Sequence, residues 1–503
     1  MTLSAFQPLP LGQRIPASEH AVSCSLPTMA DVHGYEQKDP NTTRHLTSGY
    51  PRFVVHPLAR ELAGHFIAQS PGLRGRHLWL ASSEGMAAAL AAHLKSDGVA
   101  VFSADGVHGV SHRADDAELA SRAKLFLQHL GGFISSREAE DALVRLGLRA
   151  HAEPDEGFPG DARGEVDRVL LPSLTGADPR DLFLANSGMN AVYAAFRAIS
   201  ELQAARGRTI WIQVGWLYLD SIALLKKFTG APGDYLPLLD VFDHTAIEAA
   251  FAAHGSRIAG VISELPTNPL IQTPDVPRLS ALCRSHGARL ILDPSVVSVL
   301  SVDVLPHADV VVGSLTKYTA SNGDVMAGFA AVNPAGPDAH ELRRRIPAAL
   351  EPVYPRDVSA LAAQIGRTGS ILARVSGSLP RVVEFLRGHP GVLEVFWTQH
   401  PKSRANYLRI ARSPEADGAM ISFTVRSPLD RFYDRLRLPK GPSFGMRTTL
   451  ICPFMYLAHY DLVSTPGGRA ELHRLGIDPD LLRLSIGTEP TEEIIAALSE
   501  ALA

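Results

Sequence analysis

At 503 residues, with 46% apolar and 20% charged residues and a net charge of −4, the chain has material for about two or three domains and a large core, and no electrostatic bias toward nucleic acid or an anionic membrane. Three widely spaced cysteines, Cys24, Cys283 and Cys452, exclude a disulfide framework and fit a reducing compartment. No apolar run reaches the roughly 18 residues of a membrane span, and the first residues lack an export pattern, so a cytoplasmic protein is expected.

Residues 1–60 are rich in proline, histidine and polar residues with little periodicity, and read as an arm that packs on something else. Residues 61–165 form an extension with helical patterns over Leu58–Ile67 and Ala114–Leu130 around a short strand, Val99–Phe102. This part ends in the acidic, proline- and glycine-rich stretch His151–Glu165, read as an exposed insertion or linker.

From 166 to 350 strands and helices alternate. Thr209–Val214, Ile258–Glu264, Arg289–Asp293, Val310–Gly313 and Val325–Val332 read as strands, with a helix over Val276–His286 among the intervening segments. The alternation predicts an α/β domain with a mostly parallel central sheet covered on both faces. Residues 351–503 read as a smaller C-terminal α+β domain, with helices over Asp357–Val375 and Leu379–Arg387, a strand at Met420–Val425 and a terminal helix from Thr491.

Within the α/β region, polar residues fall just past the strands, where open α/β sheets hold their ligands. Ser187-Gly188-Met189 follows the apolar run Leu182–Leu184 and opens an amphipathic helix, a cradle for an anion or a plain capped helix start. Trp216 and Tyr218 follow the Thr209–Val214 strand and offer aromatic faces to a flat ring, or core packing. Asn268 stands in the rigid turn Glu264-Leu-Pro-Thr-Asn-Pro269. Asp293 ends an apolar strand, followed by Ser295, and needs a cationic partner or a backbone cap there. Lys317 follows Val310-Val-Val-Gly, flanked by Ser314 and Thr316; alone it is a surface lysine or an amine able to join a carbonyl.

Taken in order, these residues supply a phosphate cradle, a ring cover, a carboxylate for a pyridine nitrogen and an amine for an aldehyde, the set that pyridoxal 5′-phosphate requires. Arg483 and Ser443 lie further on, the first a guanidinium suited to a substrate carboxylate or a surface salt bridge, the second a hydroxyl for the same group or a turn serine. The segment Ala81-Ser-Ser-Glu-Gly-Met86 echoes Ala185-Asn-Ser-Gly-Met189, and only one of the two can be the main anion site. His108 and His112 are four apart, but the loop signals around Gly109 and the lack of a third ligand argue against a metal.

Ser187-Gly-Met, Glu264-Leu-Pro-Thr-Asn-Pro, Ser314-Leu-Thr-Lys-Tyr and Arg483-Leu-Ser-Ile-Gly-Thr-Glu resemble the motifs of the Cys/Met-metabolism family of fold type I pyridoxal-phosphate enzymes. Ser25-Leu-Pro-Thr, Gly49-Tyr-Pro-Arg-Phe53 and Ile134–Glu140 are similar to the long fungal-type cystathionine γ-synthases. The resemblance implies a γ-replacement enzyme acting on an O-acylated homoserine, with L-cysteine as nucleophile and cystathionine as product. A γ-lyase, a sulfhydrylase, a relative using another nucleophile, and a non-catalytic protein on the same fold are the alternatives. The family's stacking tyrosine falls to Trp216, with Tyr218 taking over part of its acid/base role. The family's Y-x-R phosphate contact, supplied by a neighbouring subunit, falls to Tyr50/Arg52 or to Arg137, with Arg137 preferred. Small amino-acid substrates and a homodimer or homotetramer with shared active sites are implied; nucleic acid and membrane are not.

Overall fold

The computed structural model describes residues 6–503. The central element is a seven-stranded sheet of β4 (Leu182–Ala185), β5 (Ile210–Val214), β6 (Tyr235–Leu238), β7 (Ile258–Glu264), β8 (Arg289–Asp293), β9 (Val310–Ser314) and β10 (Gly328–Val332), in the spatial order β4-β10-β9-β8-β7-β5-β6. The five strands from β9 to β6 are parallel; β10 pairs antiparallel with both β9 and β4. Helices α6 (Gly188–Ala204), α7 (Leu219–Phe228) and α8 (Val276–His286) are among those that cover it. Both faces are therefore buried, which is why Val310, Val311 and Val312 form a continuous apolar run with no exposed face.

Ahead of this sheet lies a smaller three-stranded antiparallel sheet of β1 (Arg76–Ala81), β2 (Ala100–Ala104) and β3 (Val107–Arg113), in the order β1-β3-β2. It is accompanied by α1 (Pro57–Gln69), α2 (Glu84–Leu94), α3 (Ala117–Leu130), α4 (Ser136–Arg145) and α5 (Ala162–Leu170). His108 and His112 lie on β3, and His112 accepts from Trp79 Nε1 at 3.1 Å.

Beyond the large sheet, α9 (Pro355–Ile365) and α10 (Thr368–Gly388) lead to a second antiparallel sheet of β11 (Val392–Phe396), β12 (Met420–Val425), β13 (Leu450–Pro453) and β14 (Leu482–Ser485), ordered β11-β12-β14-β13, and to the last helix, α11 (Thr491–Leu502). Two helix boundaries differ from expectation. The first helix stops at Ile365, whose carbonyl accepts from the Thr368 hydroxyl at 2.7 Å. The second runs through Pro380 without a break, its buried face of Leu379, Val382, Val383 and Leu386 holding it. The strand expected from Val325 starts at Gly328.

The N-terminal arm crosses the C-terminal part of the chain: Leu26 N–H donates to Lys440 O and Met29 N–H to Asp434 Oδ1. The acidic stretch 151–165 is not a free insertion. Asp155 folds back to accept from Arg137 at 2.9 Å and from Arg356 at 2.6 Å.

The two echoing segments are both serine-capped helix starts, on either side of Gly131-Gly132. Ser83 Oγ accepts from Met86 N–H and Ser187 Oγ from Asn190 N–H, while Ser82 N–H and Asn186 Nδ2 donate to Gly132 O and Gly131 O. The first start already faces a carboxylate, since Ser82 Oγ donates to Glu351 at 2.8 Å.

Candidate active site

A large cavity opens at the carboxyl ends of the parallel strands, with walls from the arm, the N-terminal extension and the loop before β13. Ser187, Gly188 and Met189 form one side, where the first turn of α6 meets the end of β9. A β-carbon added at Gly188 would come within 3.0 Å of Ser314 Cβ and 3.2 Å of Ser314 Cα, so only glycine lets this helix start approach the strand end. Ser314 N–H donates to Ser295 Oγ at 2.8 Å, and Thr316 Oγ1 accepts from Ala327 N–H at 3.2 Å.

On the cavity floor, Asp293 and Glu264 end adjacent parallel strands in register. Asp293 Oδ1 accepts from both Ser295 N–H (2.8 Å) and Ser295 Oγ (2.5 Å). Burial pushes the Asp293 carboxyl up to about 6. Burial, and then the neighbouring Asp293, pushes Glu264 well above the usual carboxylate range. Glu264 Oε1 accepts from Tyr218 N–H at 2.5 Å.

Lys317 projects into the same space. Its Nζ donates to the Tyr50 hydroxyl and, at 3.1 Å, to Ser443 Oγ, and it lies 4.2 Å from the Tyr50 ring centre and 4.8 Å from that of Phe444. Burial, helped by the positive Arg483, lowers its pKa well below that of a free lysine, which favours the neutral, nucleophilic amine. Arg483 on β14 is 7% exposed, and its hydrogen bonds go to Asn268 Oδ1 (3.4 Å) and Ser443 O (3.1 Å). A buried guanidinium resting on neutral oxygens is primed for a carboxylate. Ser443 holds a left-handed φ of 91°, which turns both its carbonyl and its hydroxyl into the site.

The structure thus brings together Ser187, Gly188, Met189, Tyr218, Asn268, Asp293, Ser295, Ser314, Thr316, Lys317, Ser443 and Arg483, with Tyr50 and Arg52 from the arm. Two expectations need correction. Trp216 does not line the cavity: Gly215, at φ 78°, turns the chain so that Trp216 packs in the core, edge-on to His459 at 5.3 Å, and Tyr218 faces the cavity in its place. Arg137 is not available to a phosphate: its guanidinium is 1% exposed and paired with Asp155, Asp324 and Asp357. The other candidates, Tyr50 and Arg52, line the cavity of their own chain, Tyr50 bonded to both Lys317 and Ser443, Arg52 to Leu457 O. Sequence reasoning did not single out Glu264 or Phe444; the carboxylate ending an apolar strand beside that of Asp293 was the available signal for the first.

These residues fit pyridoxal 5′-phosphate. Asp293 keeps one oxygen free of the Ser295 bonds, a Cβ at Gly188 would fill the cradle, and a low-pKa amine stands beside a guanidinium held by neutral oxygens. The mixed, mostly parallel sheet, its small antiparallel companion and this arrangement at the strand ends define a fold type I pyridoxal-phosphate enzyme. The chain belongs to the Cys/Met metabolism PLP-dependent enzyme family, whose sequence model matches residues 170–503.

Among its relatives is an L-2-amino-4-chloropent-4-enoate dechlorinase/desaturase from Streptantibioticus cattleyicolor, 40% identical over 97% of each chain. A cystathionine gamma-synthase from Neurospora crassa is 24% identical over 98% of each chain. Of solved structures, a cystathione gamma lyase from Micromonospora echinospora superposes with a TM-score of 0.57 at 25% identity, covering 70% of this chain and 90% of that one. No helix among the described residues is long and apolar enough to cross a membrane.

Proposed function

We propose that the protein eliminates a γ-substituent from a single L-α-amino acid, without a second amino acid entering the site. The observation that carries this reading is the short supply of positive charge. Among the described residues lining the cavity, the lysines and arginines are Arg52, Lys317 and Arg483. Lys317 is the covalent amine, Arg52 answers the cofactor phosphate and Arg483 the substrate carboxylate. The lining histidines do not add a cation, because burial lowers His20 to about 3 and His56 to about 4. The carboxylate of an incoming cysteine would meet Glu138 and the Asp324 and Asp357 carboxylates already held by the buried Arg137, with no lining lysine or arginine left for it.

Bound at this site, the cofactor supplies an electron sink next to Cα. Asp293 holds a proton at the ring nitrogen, Tyr218 covers the ring, and Arg483 with the Ser443 hydroxyl fixes the substrate carboxylate so that Cα and Cβ face Lys317. Lys317 Nζ would first relay the Cα proton away and then take one from Cβ, and the γ-substituent would leave with the electron pair of its bond to Cγ. The substrate of the 40% identical relative carries its chlorine at this carbon, and a halide there is the leaving group we favour. The second reading is γ-replacement of an O-acylhomoserine by L-cysteine to give cystathionine, supported by the full-length similarity to the fungal cystathionine gamma-synthase.

Mass spectrometry separates the two, with L-2-amino-4-chloropent-4-enoate, O-acetylhomoserine and O-succinylhomoserine each offered with and without cysteine. Elimination predicts a product lighter by HCl and free chloride, both independent of cysteine. Cystathionine from an acylhomoserine, with the chlorinated compound untouched, overturns it.

A further inference from the structure

Glu264 has no part in the chemistry described so far, yet it is 6% exposed on the cavity floor beside the carboxylate assigned to the cofactor ring. We propose that Glu264 is a positioning residue held as a neutral carboxylic acid, leaving the negative charge of the pair on Asp293 and tying the Tyr218 loop to the cofactor site.

Three observations support this. The first is register: Glu264 pairs with Asp293 across parallel β7 and β8, and Leu265 N–H donates to Asp293 O, so the two side chains emerge together from the ends of neighbouring strands. Two ionised carboxyls cannot share such a buried place without a cation between them. The charged groups facing Glu264 are Asp293 from β8 and Arg483 from β14, with Lys317 beyond β9 lining the same cavity. Neither cation forms a salt bridge with Glu264, and both are engaged elsewhere: Arg483 by Asn268 and Ser443, Lys317 by Tyr50 and Ser443.

The second observation decides which carboxyl keeps the proton. Asp293 receives two hydrogen bonds from Ser295, which favour its charged form, whereas Glu264 receives a single backbone bond. Burial and the nearby Asp293 push Glu264 up accordingly. The third is the destination of that backbone bond. Tyr218 N–H opens α7 and has no partner inside the helix, so Glu264 Oε1 fixes the residue that faces the cavity. The carbonyl oxygen of a neutral acid can still accept this bond, more weakly than an anion would, and neutrality leaves Asp293 as the site's own counter-charge for a protonated ring nitrogen.

The test compares wild type, E264Q and E264A as holoenzymes. The folded protein retains a Glu264 proton that the unfolded chain releases near 4.5, so wild-type stability falls as pH rises from there toward the folded value. Glutamine keeps the acceptor for Tyr218 N–H and does not titrate. The melting midpoint of E264Q should therefore exceed that of wild type by an amount that grows as pH rises above about 4.5. Pyridoxal phosphate affinity should stay within about 2-fold of wild type in E264Q and weaken about 10-fold in E264A, where Tyr218 N–H loses its acceptor. A midpoint difference that does not change with pH overturns the neutral acid; equal loss of cofactor affinity in E264Q and E264A overturns the tie to Tyr218. Neither readout depends on which substrate the enzyme accepts, so the result stands apart from the elimination reading.

Discussion

Lys317 owes its chemistry to its surroundings: a buried amine under two aromatic rings, with a guanidinium near enough to discourage its proton. Lys317→Ala should abolish the borohydride-sensitive visible absorbance of the purified protein and reduce turnover by at least about 10³-fold. Arg483→Met acts twice. With the neighbouring positive charge gone, the Lys317 pKa rises toward its ordinary 10.5, so covalent capture of the cofactor, followed by absorbance against pH, should begin at higher pH. KM for the amino acid should rise about 10- to 100-fold with loss of a charge-assisted contact. The capture limb staying at its wild-type pH would show that Arg483 does not act on the lysine.

The next level is the join between helix and strand. Gly188→Ala forces a methyl against the Ser314 backbone, which cannot swing aside as a side-chain tip would. We expect a loss of about 1–3 kcal/mol in denaturant unfolding, with cofactor affinity falling as the first turn of α6 is pushed off β9. Arg137 behaves differently. It joins α4, the acidic stretch and α9 through Asp155 and Asp357, so Arg137→Ala should cost about 3–5 kcal/mol of stability by leaving buried carboxylates uncompensated. Calorimetry and cofactor titration at a temperature where the variant is folded distinguish this from a phosphate role, which would show first in affinity.

Elements of this kind were unevenly legible. Arg289–Asp293 could be read directly, and Val310–Ser314 to within one residue as Val310–Gly313, because strands buried on both faces have runs of β-branched and apolar residues. The polar residues at their ends were legible for the same reason, since a charge at the end of such a strand needs a purpose. Trp216 was misread because period and composition do not show which of two aromatics two residues apart faces a cavity; the positive φ at Gly215 decides that. Arg137 was misread because its partners come from 155, 324 and 357, distances in sequence that no local pattern connects. β3 was hidden by Gly109, which lies too close to the Trp79 backbone to carry any side chain.

For the molecule as a whole, the arm is the part that most changes the expected picture. Tyr50 and Arg52 reach the cavity of their own chain, where the resemblance had implied a neighbouring subunit. Complementation tests this. Mixing Lys317→Ala with Tyr50→Phe protein under conditions that exchange subunits should not restore activity above the sum of the two, because no mixed assembly then contains a complete site. Recovery would mean that the arm crosses between subunits.

That arm also bears on how the family sequence divides from the rest. The recognisable part, 170–503, contains Lys317, Asp293 and Arg483 and looks self-sufficient on paper. In the folded protein the phenol that touches the lysine, and the glycines 131 and 132 that receive the bonds of Asn186 and Ser82, all come from before residue 170. The extension is therefore a wall of the cavity and not an attached module: trimming to the family boundary would take away the phenol that touches the lysine and open that side of the cavity to bulk water.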